Sequence, residues 1–507
     1  MDKKIKTAIQ QGRHCMNKLP RLKHFQPMSY ATAMLMLASC GGSSSVPVVE
    51  AVVPSTLDVV ITAAQMNDSD MSNLLFRLKE GSTVMLPAGK FHFDRPLIMN
   101  TSGVTIIGKG SGSNPASDTI LSFKDASSRN GLQVSNVKTI TLKNFAVEDA
   151  AGNAVFVSAS SNVTMDGLRA EWTTDPTKTS KMAYGLYPVN SDNIIVKNSK
   201  VIGSEDAGIY VGQSQNIRVS NNEVYLNVAG VEIENSLNAI VENNDLHDNT
   251  GGVLVFSLPG TYRFKKGSGV LIQNNNIHDN NTPVADNATG FVTSVPVGTG
   301  IMVLAADNTE IKNNVIKNHK TTSILALSYQ ATGFAINDPA YNPFIHGLYA
   351  YGNTISLSGY APDGAFKTEL KPLVDGLFAQ LASNGLPTLL PYGVWDGILD
   401  PAKSSGLLPL PGLGGLGVGG VASDDSRICI KNNTSLDTPV IDTVISYETL
   451  DINLIGLKLG ASIEAGETPP EAIAGIPVEL LQPSFPFAPR MNCQLTLPAI
   501  PAFPIIK

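Results

Sequence analysis

An all-β solenoid is what this sequence predicts, on three observations. A unit of about 22 residues recurs through the middle of the chain. Within each unit, short apolar alternations are separated by Asn or Gly. No unit has strands long enough to close a core of its own, so neighbours must stack. Aligned on the shared pattern, the units start at Ile140, Val163, Ile194, Ile217, Ala239, Val270 and Thr309. Alternation marks strands, and Asn and Gly supply the left-handed turns between them. Strands stacked about 4.8 Å apart in this way make a right-handed, single-stranded parallel β-helix.

The composition agrees. The 507 residues are 43% hydrophobic and 16% charged, with 45 Gly and 31 Pro. That is too apolar for disorder and rich in turns. A net charge of −7 gives nucleic acid no foothold.

The first forty residues form an address. Residues 1–27 hold seven Lys or Arg, and an uncharged run from Met28 to Ser39 follows. That run is too short to span a bilayer and suits the apolar region of a signal peptide. It ends in Leu37-Ala38-Ser39-Cys40, which resembles a bacterial lipobox. The resemblance implies cleavage before Cys40 and acylation there, with residues 40–60 as a Gly/Ser tether. Without an aspartate after Cys40, the lipoprotein is expected to pass to the outer membrane. Translation starting at Met16 would shorten the long basic segment. Removing residues 1–39 leaves 29 basic against 42 acidic residues, a net −13. Of the four cysteines, Cys15 leaves with the signal and Cys40 carries lipid, so Cys429 and Cys493 are expected to form a disulfide.

Residues 69–80 read as an amphipathic helix stopped by Gly81, set to cap the open end of the solenoid at residue 61. One column, Asn144, Gly167, Asn198, Asn221, Asn243, Asn274 and Asn313, is expected to stack as an interior amide ladder. The spacing stretches at 173–182, 257–268 and 281–298, and solenoid insertions emerge as loops, often on a binding face. The pattern breaks after 360. Residues 361–507 are read as an irregular C-terminal lid along the β-helix, with a short helix in 363–385 and a Leu/Gly/Pro run at 404–420.

With the units aligned, a family resemblance emerges. The segments MAYGLYPV (182–189), DAGIYVGQS (206–214), NVAGVEIENS (227–236) and NTGGVLVFSLPG (249–260) carry it. It continues in VPVGTGIMVLA (295–305), PYGVWDGILD (391–400) and RICIKNN (427–433). Together these resemble a bacterial family of exported parallel β-helix repeat proteins, many of them lipoproteins, to which no reaction is assigned. The wider resemblance is to the pectate-lyase-like superfamily, whose lyases, hydrolases and mannuronan epimerases act on acidic polysaccharides. A more distant one is to the β-helix accessory protein of copper-enzyme maturation. The lyases' catalytic Arg, their Asp cluster and the epimerases' Asp-Pro-His segment have no match here, so any reaction rests on analogy.

Stacking Gly185, Gly208, Gly230, Gly252 and Gly300 fixes the side chains that point outward. One outward column is Tyr187, Tyr210, Glu232, Leu254, Met302; the next is Val189, Gly212, Glu234, Phe256, Leu304. Two aromatic rungs thus lie beside a rung with two exposed carboxylates, Glu232 and Glu234, about 6–7 Å apart at Cβ. Tyr187 and Tyr210 would stack on sugars while the carboxylates act as acid and base around water. Elimination from a uronate would draw on Tyr210 or His247 as base. Asp206 and His247 join Tyr187 as substrate contacts, and Glu232 and Glu234 with Glu205 or Asp206 could hold Ca²⁺. The plainer reading of the pair is a solvated edge. His247 and His278 occupy equivalent His-Asp-Asn turns, read as surface turns ahead of a metal pair. Arg263, Lys265 and Lys266 form a basic cluster, read as a solvated loop ahead of a contact for a substrate carboxylate. Two functions follow. One is an envelope-anchored lipoprotein that binds an acidic polysaccharide and cleaves or epimerises it. The other is a non-enzymatic envelope accessory protein that docks a partner protein.

Overall fold

The computed structural model describes residues 58–451 apart from 125, 127–129, 174–182, 261, 285–290, 369, 384, 410–416, 424–425 and 437–448. The expected signal peptide, Cys40, Cys493 and the 452–507 tail lie outside the described residues, as does the tether up to residue 57.

Three sheets of parallel strands, here A, B and C, hold twelve, eleven and eleven strands. One coil shows the path: Ala207–Gly212 in sheet C, Gln215–Ser220 in A, Glu223–Tyr225 in B, then Ala229–Glu234 back in C. The seven expected unit starts, from Ile140 to Thr309, pair one above another in sheet A. Alternate Val, Ile and Leu side chains of all three sheets fill one continuous core, where Ile209, Val231, Ile217 and Val224 are fully buried. The glycine column is required by close approach. A Cβ on Gly252 would come within 2.5 Å of the Gly300 carbonyl oxygen, and one on Gly230 within 2.6 Å of that of Gly252.

The expected amide ladder is displaced by one residue. Asn198, Asn221, Asn243, Asn274 and Asn313 hold positive φ, between 52 and 57°, and are exposed. Asn tolerates this conformation better than other side-bearing residues, so the first Asn of each pair makes the turn. The next residue points inward. Asn222 donates to Asn244 Oδ1 at 2.9 Å, and Asn244 to Asn275, Asn275 to Asn314 and Asn314 to Asn353 do the same at 2.9 Å each. A second interior ladder runs Asn227 to Asn249 (3.0 Å) to Asn280 (2.9 Å) at the turn from sheet B to sheet C.

The cap is helix α1, Asp68–Arg77. Asn67 caps it by accepting from the Asp70 amide, Asp68 and Asp70 sit in its first turn, and Met71 and Leu75 enter the main core. At the other end the solenoid does not stop at 360. Gly393–Trp395 and Thr449–Asp451 extend sheet C, Ile428–Ile430 extends A, and Thr434–Ser435 extends B. Trp395 therefore lies in the β-helix core. Cys429 is fully buried in the sheet A extension. The Leu/Gly/Pro run pairs as an antiparallel hairpin, Ser404–Pro409 with Gly417–Ala422.

From Lys143 to Thr354 every turn from A to B is two residues long. The long excursions between residues 172 and 392 leave or enter sheet C instead: 172–183, 257–267, 279–298, 328–345 and 359–392. The last three of them cover its outer face from Leu254 onward. Helix α2, Lys371–Ser383, buries Val374, Leu377 and Leu381 in one cluster with Leu254, Phe256, Met302, Leu304 and Leu325.

Candidate functional site

Glu232 and Glu234 are two residues apart on one strand, so both project from the outer face of sheet C. Tyr210 pairs with Glu232 and Gly212 with Glu234; on the far side come Leu254 and Phe256. Those columns are the expected ones. The exposure is not: Glu232 is 3% and Glu234 8% exposed, so the pair is a buried site and not a solvated edge. Their carboxyl groups also share a hydrogen bond.

Tyrosines enclose the acids. Ring centroids of Tyr184 and Tyr187 are 4.4 Å apart, Tyr187 and Tyr210 4.7 Å, Tyr184 and Tyr210 5.0 Å, and Phe156 continues the row 5.3 Å from Tyr187. Tyr184 and Tyr187 are half-buried, and Tyr210 is buried. The Tyr184 hydroxyl donates to Asp206 Oδ2 at 2.8 Å. The Tyr210 hydroxyl donates to Glu234, reaching it across Gly212, where a Cβ would stand 2.2 Å from that hydroxyl. Sequence reading overlooked Tyr184 and Tyr262. Tyr184 shares its register position with Asn153 and Asn130, which already marked that offset as outward. Tyr262 comes from the 257–267 excursion and lies close enough to raise the Tyr187 hydroxyl. The excursion is clamped by buried Asn235, whose amide donates to the Leu258, Phe264 and Lys265 carbonyls and accepts from the Leu258 amide.

Burial dominates the electrostatics. It pushes Glu234 up to about 7 against the Tyr210 hydrogen bond, and Asp206 up to about 6 against the Tyr184 bond. Burial, then the charges of Asp206 and Glu234, drive Glu232 well above the ordinary carboxylate range. Tyr187 and Tyr262 rise to about 12 for the same first reason. Glu232 Oε2 is buried with no hydrogen-bond partner among the described residues.

Two expectations are corrected. His247 does not join the site: it lies on sheet B in a stack with Tyr225 and His278, centroids 4.9 and 5.1 Å apart, and bonds Asp248. The basic cluster is engaged elsewhere. Arg263 makes a two-pronged pair with Asp192 (2.8 and 3.1 Å), Lys265 meets Asp338 at 2.6 Å, and Lys266 meets Asp307 at 3.3 Å. Among the described residues no group of three or more His, Cys, Asp or Glu side chains is arranged for a metal ion.

Farther along the same face a cavity of about 720 Å³ is lined by Met302, Leu325, Leu327, Phe334, Phe366 and Asp396. Asp396 accepts from the Ser328 amide and hydroxyl there, both at 2.6 Å.

The family described as right handed beta helix region matches residues 106–264, which include the whole Tyr–carboxyl site. No curated protein matches the sequence. Among solved structures, the A-module of a mannuronan C-5 epimerase from Azotobacter vinelandii is 18% identical, over 55% of this chain and 80% of its own, with a TM-score of 0.36. The exopolygalacturonase of Thermotoga maritima is 13% identical over 57% and 76%, TM-score 0.39. The DFA-IIIase of Arthrobacter chlorophenolicus A6 in complex with GF2 is 13% identical over 60% and 87%, TM-score 0.36.

Proposed function

We propose that this β-helix binds a glycan on the outer face of sheet C and that Glu232 and Glu234 act there as one acid–base unit. The observation that carries the reading is the hydrogen-bonded carboxyl pair at the end of a tyrosine row, with Glu234 raised to about 7. A pair of like charges this close and this buried keeps one proton at neutral pH, as coupled dyads do. It can deliver that proton to a glycosidic oxygen as the anomeric C–O bond breaks, and take one back from the water that adds to the anomeric carbon. Tyr184 and Tyr187 supply a half-buried aromatic wall, the amphipathic surface on which sugar rings stack.

The test is carbohydrate turnover by the full chain, read as released reducing ends or as changed sugar stereochemistry, for wild type, Glu232→Gln and Glu234→Gln. Each variant is expected to lose 10²-fold or more, the ordinary scale of a lost acid or base, with an unchanged thermal midpoint. Wild-type turnover in both variants would overturn the reading and leave the docking protein as its successor. The Leu37–Cys40 sequence supports an outer-membrane lipid anchor for this protein. Labelled palmitate should then appear in the wild type and vanish in Cys40→Ser.

A further inference from the structure

Resting on that reading, we infer that the glycan is uncharged and runs from the carboxyl pair toward the N-terminal coils, across Tyr187, Phe156 and Gln133. The direction follows from what closes the other side. Beyond Glu232 and Glu234 the register passes to Leu254 and Phe256, both buried beneath α2 and the loops that accompany it. Toward the N-terminus the same column reads Tyr210, Tyr187, Phe156, Gln133, and from Tyr187 onward every member is half-exposed. Three coils of this surface span about 14 Å at the interstrand spacing, room for several sugar units.

The chemistry of that strip is amide, hydroxyl and aromatic. Asn153 donates to Asn130 Oδ1 at 2.9 Å, Asn130 in turn donates to Gln133 Oε1 at 3.1 Å, and the Ser135 and Ser158 hydroxyls meet at 3.0 Å. No Lys, Arg, Asp or Glu projects from these three strands on the outer face. Such groups bind hydroxyls and ring faces, not charges. A chain of uronates would instead carry its carboxylates past Asp206 and past a carboxyl pair that keeps one proton and one charge, and each close like-charge contact opposes binding. Among the described residues the cations that could compensate, Arg263, Lys265 and Lys266, already face Asp192, Asp338 and Asp307. This departs from the acidic polysaccharide expected from the family resemblance.

The experiment measures binding of the full chain to neutral hexasaccharides (β-glucan, xylan, mannan and fructan series) beside hexagalacturonate and hexamannuronate. At least one neutral series is expected to bind tenfold or more tightly than either uronate, and uronate affinity should rise with added salt as repulsion is screened. Phe156→Ala should weaken the neutral ligand about tenfold with a thermal midpoint within a few degrees of wild type. A uronate that binds more tightly than every neutral series, and loses affinity in salt, would overturn the charge inference. If Glu234→Gln then altered its binding, the site itself would stand. Neutral binding unmoved by both Phe156→Ala and Tyr187→Ala would overturn the path. Binding to none of the six would sink this inference and the preceding reading together.

Discussion

At the scale of single residues, the site trades stability for protons held at neutral pH. Glu234 and Asp206 have folded values of about 7 and 6, against ordinary values of 4.5 and 3.8. Between those limits the folded protein holds protons that the unfolded chain has released. Stability is therefore greatest below the unfolded values and falls as pH rises toward the folded ones, by about 1.4 kcal/mol per pH unit for each proton so held. Chemical denaturation at pH 4.5 and 7.5 should show the loss, and Asp206→Asn with Glu234→Gln should flatten it. An equal slope in wild type and double variant would contradict the assignment. Gly212→Ala is a second probe. Its methyl would displace the Tyr210 hydroxyl from Glu234, so loss of turnover with an intact fold is expected. The outward direction of Glu232 and Glu234 was legible, because period-two alternation fixes it once the glycines are aligned. Their burial was not. It depends partly on residues such as Tyr262 that a long excursion brings back, and no local pattern encodes that return.

At the scale of the strand and turn, the Asn pairs divide their labour. The first residue supplies the left-handed turn and the second supplies the interior amide, so the two should respond differently to substitution. Asn275→Ala removes one rung of the ladder and takes the acceptor from one side-chain N–H and the backbone N–H of Asn244 inside, at a cost of about 1–3 kcal/mol. Asn274→Gly keeps the turn and should change stability by a few tenths of that. Equal effects in urea denaturation would mean that the two roles are not separate. Sequence alone chose the wrong member because Asn221-Asn222, Asn243-Asn244, Asn274-Asn275 and Asn313-Asn314 offer both at every turn. The strands at Gly393–Trp395 and Ile428–Ile430 escaped notice for another reason. At three residues each they are too short to alternate visibly, and 32 residues separate them.

At the scale of the solenoid, stacking makes each coil depend on its neighbours, and the ends depend on their covers. Met71→Asp would place a charge in the core beneath α1. Amide exchange should then quicken in Leu97–Met99 and Asn130–Ser135 while Ala229–Glu234 stays protected. Uniform acceleration along the stack would mean that the coils unfold as one unit. Non-reducing peptide maps should likewise show whether Cys429 is joined to Cys493. The long excursions cluster at sheet C because the A-to-B corner is pinned by its two-residue turns and interior amides, whereas the edges of sheet C admit loops of any length.

The register of the coils also makes this chain editable in whole units. Residues 207–228 carry two glycines, Gly208 and Gly212, one turn pair and one interior amide of each kind, and residue 229 resumes the same phase. Excising them would join two compatible ends and slide the acid rung one stride closer to Tyr184 and Tyr187. The distance between recognition and chemistry is thus set in this molecule by counting coils, a variable that gene duplication and deletion change in single steps.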